Sequence, residues 1–360
     1  MKNKKYIAVF LLSFFTLMFS LFCKKDSPIN NPPNTVTDPP TPYSIIAPPY
    51  FPQPVIPAFN PLTVEGVRLG RMLYYDPVLS SNGLSCSSCH QQKNAFSVPL
   101  FTTKTGQKIS VPPHINLAWN PDFNWEGSVH QLDTLCLDDF GPDFFNTNKD
   151  TLFSRLSTHA IYPSLFKKVY GITNINSLKY SELQLKITYA ISQFMRTLIS
   201  SNSNYDKYPH NYHFTASEFN GLKIFYSEKG DCFHCHGGPL LTDNLFHNNG
   251  LDSIFSPENF GKYSATFDMN DIGKFSSPTL RNAEFTSPYM HDGRFKTLEE
   301  VVEFYNSGTK KSATLDPIMT KPGKEHGLNL TAQEKTDLVN FLKTFSDTSF
   351  INNKNFGTPF

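Results

Sequence analysis

Cys86-Ser87-Ser88-Cys89-His90 is answered in the second half of the chain by Cys232-Phe233-His234-Cys235-His236. In Cys-x-x-Cys-His, two thiols add across the vinyl groups of a haem and the histidine binds its iron. On a helical turn, positions i, i+3 and i+4 lie on one side, so all three groups meet one macrocycle. The rival readings are a redox dithiol or half of a zinc site. A zinc site would need both pairs together and would leave the two adjacent histidines unexplained. The two motifs therefore predict two covalently attached haem c groups, with His90 and His236 as proximal ligands. A strong sixth ligand on an iron favours electron transfer, whereas an open face permits peroxide or oxygen chemistry.

Outward from each motif the plan repeats. "VEGVRLGRMLYYD", starting at Val64, has helical periodicity, and Gly83 opens a turn before Cys86. In the second half Thr215-x-x-Glu218 is a capping box that opens a helix running towards Gly230, just before Cys232. Two more capping boxes, Thr297-x-x-Glu300 and Thr331-x-x-Glu334, open further helices, and residues 150–170 and 181–200 also read as helical. Almost nothing alternates with a strand period. The expected fold is mainly α: two cytochrome c-like helical domains, 61–205 and 206–345, with one covalent haem each, long loops and little β. The boundary falls in the polar stretch Asn202 to Asn211, and residues 346–360 read as a frayed tail.

The 360-residue length suits about two domains. A net charge of +1 with 18% charged residues leaves no footprint for nucleic acid and no polybasic membrane patch. The N-terminus reads as an export signal over residues 1–22: Lys2, Lys4 and Lys5, then an apolar run from Tyr6 to Phe22. Cys23 follows directly and is a candidate lipid anchor, although Phe22 is bulky for a lipoprotein cleavage site. A plain cleaved signal and an uncleaved anchor are the other readings. All three place the body outside the cytoplasm, in the periplasm or cell envelope. Residues 23–60, rich in Pro and Asn, are expected to form an extended tether.

The pair of haem motifs, with "NLAWNPDFNWEG" between them and "FSSPTLRNAEFTSPYMHDGRFKTLEEVVEFY" after the second, resembles the bacterial di-haem cytochrome c peroxidase/MauG family. The resemblance covers roughly residues 60–345. Its most specific parts beside the haem motifs are Pro278-Thr279-Leu280-Arg281-Asn282 and Pro288-Tyr289-Met290-His291-Asp292-Gly293. It implies an N-terminal high-spin haem where hydrogen peroxide reacts. The C-terminal haem would relay electrons from a small donor protein such as a cytochrome c or cupredoxin. Family members are often dimers, so a homodimer is one implied assembly. Trp125 matches the family tryptophan between the haems, and its alternative is a core residue. Tyr305, fourteen residues after His291, stands where the peroxidases have a distal methionine and the MauG branch a tyrosine. A packing role for Tyr305 and ligation by Met290 are the competing readings. His291 and Arg281 are expected beside the second haem, holding propionates, with Arg294 a further candidate.

The chain also departs from the family. Peroxide cleavage needs a group that takes a proton and returns it, and the family supplies a Gln and a Glu. Those positions here are Leu135 and Phe145, so Asp139 and Asp143, with Asp138 nearby, are the substitutes on offer. The family's distal His is replaced by Gly106, leaving His114 as the only histidine in that stretch. Ser110-Val111-Pro112-Pro113 replaces a calcium-holding segment, which puts calcium in doubt although Thr286 and Pro288 are present. Three readings follow: a peroxidase, a MauG-like oxidase of a protein or small molecule, and a non-catalytic electron-transfer cytochrome. Cys136 has no partner in the sequence and reads as a buried thiol.

Overall fold

The computed structural model describes residues 38–102, 106, 108–208, 210–325 and 327–360. The export segment, Cys23 and the first part of the tether lie outside the described residues. No described helix is long and apolar enough to cross a membrane.

Each haem motif is preceded by a helix that crosses a later one. Val64–Tyr75, capped by the Thr63 side chain, packs across Tyr180–Met195. Ala216–Phe225, with the Thr215/Glu218 capping box, packs across Ala332–Lys343, with its Thr331/Glu334 box. Both crossings hinge on a glycine. A Cβ on Gly70 would stand 1.8 Å from the Ala190 carbonyl oxygen, and one on Gly221 would stand 2.1 Å from that of Asp337. Only a bare Cα lets these backbones approach so closely.

Two apolar cores grow from these crossings. The first gathers Leu69, Leu73, Tyr74, Ile187 and Phe194; the second gathers Phe225, Val302, Phe341 and Phe345. Much of the phenylalanine content is spent here in edge-to-face pairs such as Phe225–Phe341 and Phe341–Phe345. Among the described residues, the β-strands form two antiparallel ladders, with isolated bridges elsewhere. Phe101–Thr102 pairs with Lys108–Ile109, and Phe246–His247 pairs with Phe275–Ser276. The mainly α expectation agrees with this.

Several local expectations change. The 150–170 stretch is two helices, Lys149–Thr158 and Tyr162–Tyr170. Pro163 explains the break, because proline is tolerated only in a first turn. The described part of the tether is not free. Residues 38–60 run extended along the body, with Tyr43 N–H donating to Leu62 and Trp119 donating to the Pro52 carbonyl. Asn60 is buried and donates to Asp133, which also holds a bidentate pair with Arg196. The tail is not frayed either. Asp347 caps a short helix, Thr348–Ile351, and Phe350 is buried against Phe96 in the first core. Arg71 donates to the Gly357 and Lys354 carbonyls, and Tyr75 to that of Phe356. The apolar Phe350 and Phe356 give the segment a reason to dock.

Candidate functional site

Both motifs fold as single helical turns, Cys86–Cys89 and Phe233–His236. His90 N–H donates to the Cys86 carbonyl and His236 N–H to that of Cys232, each at 2.9 Å. The thiols of both motifs are free of disulfides. His90 Nδ1 lies 3.0 Å from the Phe96 carbonyl oxygen, and His236 Nδ1 lies 3.3 Å from that of Leu241. A carbonyl only accepts, so Nδ1 carries the hydrogen and Nε2 keeps its lone pair for a metal. Burial pushes both imidazoles down to about 4, which keeps them neutral, the form that ligates. Each motif opens into its own cavity, about 410 Å³ at His90 and about 250 Å³ at His236. Paired thiols, an oriented imidazole and a largely apolar cavity fit a covalently held haem in both places.

Trp125 lines both cavities. Its indole N–H donates to the Ser110 carbonyl at 2.7 Å, and its own carbonyl accepts from Ser276 N–H. The residue is thus tied to both halves of the chain, by its ring to Ser110 and by its backbone to Ser276. Tyr305 lines the second cavity from a π-helical turn, Phe304–Gly308, with Met290, His291 and Asn249 beside it. Such turns re-aim a side chain and are frequent at functional sites.

The family model described as di-haem cytochrome c peroxidase matches residues 64–213. The methylamine utilization protein MauG of Methylorubrum extorquens is 31% identical over 297 residues, 80% of each chain. The chain belongs to the di-haem cytochrome c peroxidase/MauG family. Cytochrome c551 peroxidase of Nitrosomonas europaea is 30% identical over 260 residues, 69% of this chain and 75% of that one. Among solved structures, a MauG-like protein associated with microbial copper homeostasis is 33% identical with a TM-score of 0.79. That match covers 88% of this chain and 99% of that one. Membership gives the chain haem c as its cofactor, and the two Cys-x-x-Cys-His cavities are where the family's two haems fit.

In the first cavity, apolar side chains stand where the resemblance would put the family's Gln and Glu, although Asp122, Glu126 and Asp138 also belong to its lining. Leu135 and Phe145, the positions of the usual Gln and Glu, both line it. Of the substitutes the sequence offered, Asp139 and Asp138 stand in its wall, while Asp143 is exposed and outside the lining, so its candidacy as a catalytic group is corrected. Leu132–Phe140 is a 3₁₀ helix, so Cys136 and Asp139 share one edge at three residues per turn, while Asp143 lies beyond its end. Burial, with Asp138 adding to it, pushes the Asp139 carboxyl up to about 7 against the opposing hydrogen bond from Cys136. Cys136, unassigned by sequence, is the buried thiol beside it. His114 stacks on the His90 ring, centroids 3.5 Å apart, with Tyr74 Oη 3.1 Å from its Nδ1. It therefore sits against the proximal histidine, not across the cavity from it.

The second cavity holds more of what was expected. Burial pushes the Tyr305 phenol up to about 12, with Asn249 working the other way. His291 lines the cavity, stacked on Phe275 at 3.6 Å, and its carbonyl accepts from Ser110 N–H. Arg281 does not line it, a correction. Its guanidinium is fully buried, paired bidentately with Asp206 and donating to the Pro239 carbonyl, beneath the Phe51 ring. Arg294 likewise is taken by Asp252 and Asp292. Where the family would hold calcium, Ser110 Oγ donates directly to the Pro288 carbonyl at 3.4 Å. Two residues of the second cavity wall were missed, His247 and Asn249, both in the run Phe246-His247-Asn248-Asn249-Gly250. Hydrogen bonds to Cys235, Asp316 and Asp243, against burial, raise the His247 imidazole to about 10. Neither residue had a partner visible in the sequence.

Proposed function

We propose that this chain is an exported di-haem oxidoreductase that reduces hydrogen peroxide at the His90 site. Electrons from a small donor protein would enter at the His236 site. The observation that carries the proposal is Trp125, which belongs to both cavity walls and is pinned by hydrogen bonds from each side. Bound haem supplies the redox chemistry, each iron exchanging single electrons. Breaking the peroxide O–O bond takes two electrons and two protons and yields two waters, which matches two one-electron centres. Asp139 can take the first proton and return it near neutral pH, because burial places its carboxyl at about 7. The surrounding Leu135, Phe144 and Phe145 keep water from competing with the peroxide.

A second reading, MauG-like oxidation of a protein or small molecule, is favoured by Tyr305 in the second cavity and by the 33% identical MauG-like structure. The two readings share the peroxide step and differ in what gives up electrons. Stopped-flow optical spectroscopy of the holoprotein with peroxide, with and without a reduced cytochrome c, tests both. Fast donor oxidation supports the peroxidase reading. A long-lived oxidised state that ignores the donor supports the second. No reaction with peroxide eliminates both and leaves a non-catalytic electron-transfer cytochrome.

A further inference from the structure

Among the side chains of the second cavity that can offer an iron a sixth ligand are the Tyr305 phenol and the Met290 thioether. One carboxamide touches both. Asn249 Nδ2 donates to Tyr305 Oη at 3.0 Å and reaches Met290 Sδ at 3.7 Å. Its orientation is fixed by the other end, since Asn249 Oδ1 accepts from Leu251 N–H at 3.2 Å. An amide flip would face Oδ1 to the phenol and forfeit that bond. The backbone is fixed as well. Asn249 follows the Phe246–His247 ladder, and the adjacent Asn248, buried, holds Ser312, Thr314 and Gly250 N–H.

We propose that Asn249 is the positioning residue that selects Tyr305 over Met290 as the sixth ligand of the second haem. The inference rests on the reading of Tyr305 as that ligand. An N–H aimed at the phenol oxygen stabilises negative charge there and leaves the phenol hydrogen free to depart into the cavity. The same N–H on a neutral thioether draws on its weak lone pair and improves nothing. Asn249 therefore favours the anionic ligand, which holds iron in its ferric state more than methionine does.

The test uses the ferric holoprotein and three substitutions, read by the phenolate-to-iron charge-transfer band and by the reduction potential of the second haem. Asn249→Asp keeps the shape and the Leu251 contact but turns the donor into an acceptor. Asn249→Leu removes the polarity altogether. In both, the band is lost and the potential rises. A methionine-ligated low-spin signal takes its place in Asn249→Leu, and adding Met290→Leu abolishes that signal. An unchanged band and potential in both Asn249 variants, with the band lost in Tyr305→Phe, overturns the selection role alone. A wild-type spectrum in Tyr305→Phe overturns tyrosine ligation and this inference with it.

Discussion

Around His90 and around His236 the chain repeats one device. A glycine-crossed helix leads to a turn of Cys-x-x-Cys-His, and a backbone carbonyl orients the imidazole. The walls opposite are unlike. At His236 they carry a phenol, a thioether and the amide that touches both. At His90 they carry Leu135, Phe144 and Phe145 among several polar side chains, with Asp139 the carboxyl in the wall whose affinity for a proton is raised. The shared parts are those that would attach a haem, and the unshared parts those that would decide what each iron can meet. On the function proposed above, that separation lets a nearly symmetric sequence pattern serve two sites with different work.

The comparison can be broken most forcefully by removing one attachment at a time. Cys86→Ala should abolish the peroxide reaction. Cys232→Ala should leave at most one stoichiometric reaction with peroxide at the first site and abolish oxidation of the donor, both measured by stopped-flow on protein of verified haem content. Next in size is Asp139→Asn, expected to slow the peroxide reaction by roughly 10²-fold. A base with its carboxyl near 7 must be ionised to act. The wild-type rate should therefore rise about tenfold per pH unit below 7 and level above it, while the variant stays flat.

The crossings come third. Gly70→Ala and Gly221→Ala should each destabilise by about 1–3 kcal/mol, read as a lower denaturation midpoint. Severing the lobes' likeness there tests whether the device is shared. The smallest spectroscopic effect is expected for Arg281→Lys, which breaks a bidentate pair outside the cavity lining. Despite the burial that opposes it, the Arg281 guanidinium holds the Asp206 carboxyl below its ordinary value. The pair's stabilisation is present above about pH 4 and fades as pH falls through the lowered value. The variant should lose stability at neutral pH and lose less of it in acid, with both haem spectra unchanged.

How far the sequence carried this comparison follows from the range of each interaction. Helix starts were legible because a capping box spans three residues, as at Thr215, Thr297 and Thr331. The haem motifs were legible for the same reason. Arg281 was misread because its partner, Asp206, lies far away in sequence and nothing local announces a buried pair. Asp139 and Asp143 looked equivalent, but the 3₁₀ helix Leu132–Phe140 holds only Asp139, and Asp143 falls in the turn beyond it. The closing segment was misread because Phe350 finds its pocket beside Phe96, in the other half of the chain. Asn249 was missed because an asparagine before a glycine is an ordinary turn signal.

The central claim is that the first iron has an open face and the second is closed by Tyr305. Electron paramagnetic resonance of the resting ferric holoprotein tests it most directly. The account predicts high-spin and low-spin signals in equal amounts, with only the high-spin signal converting when cyanide is added. Two low-spin signals that cyanide does not disturb would contradict it.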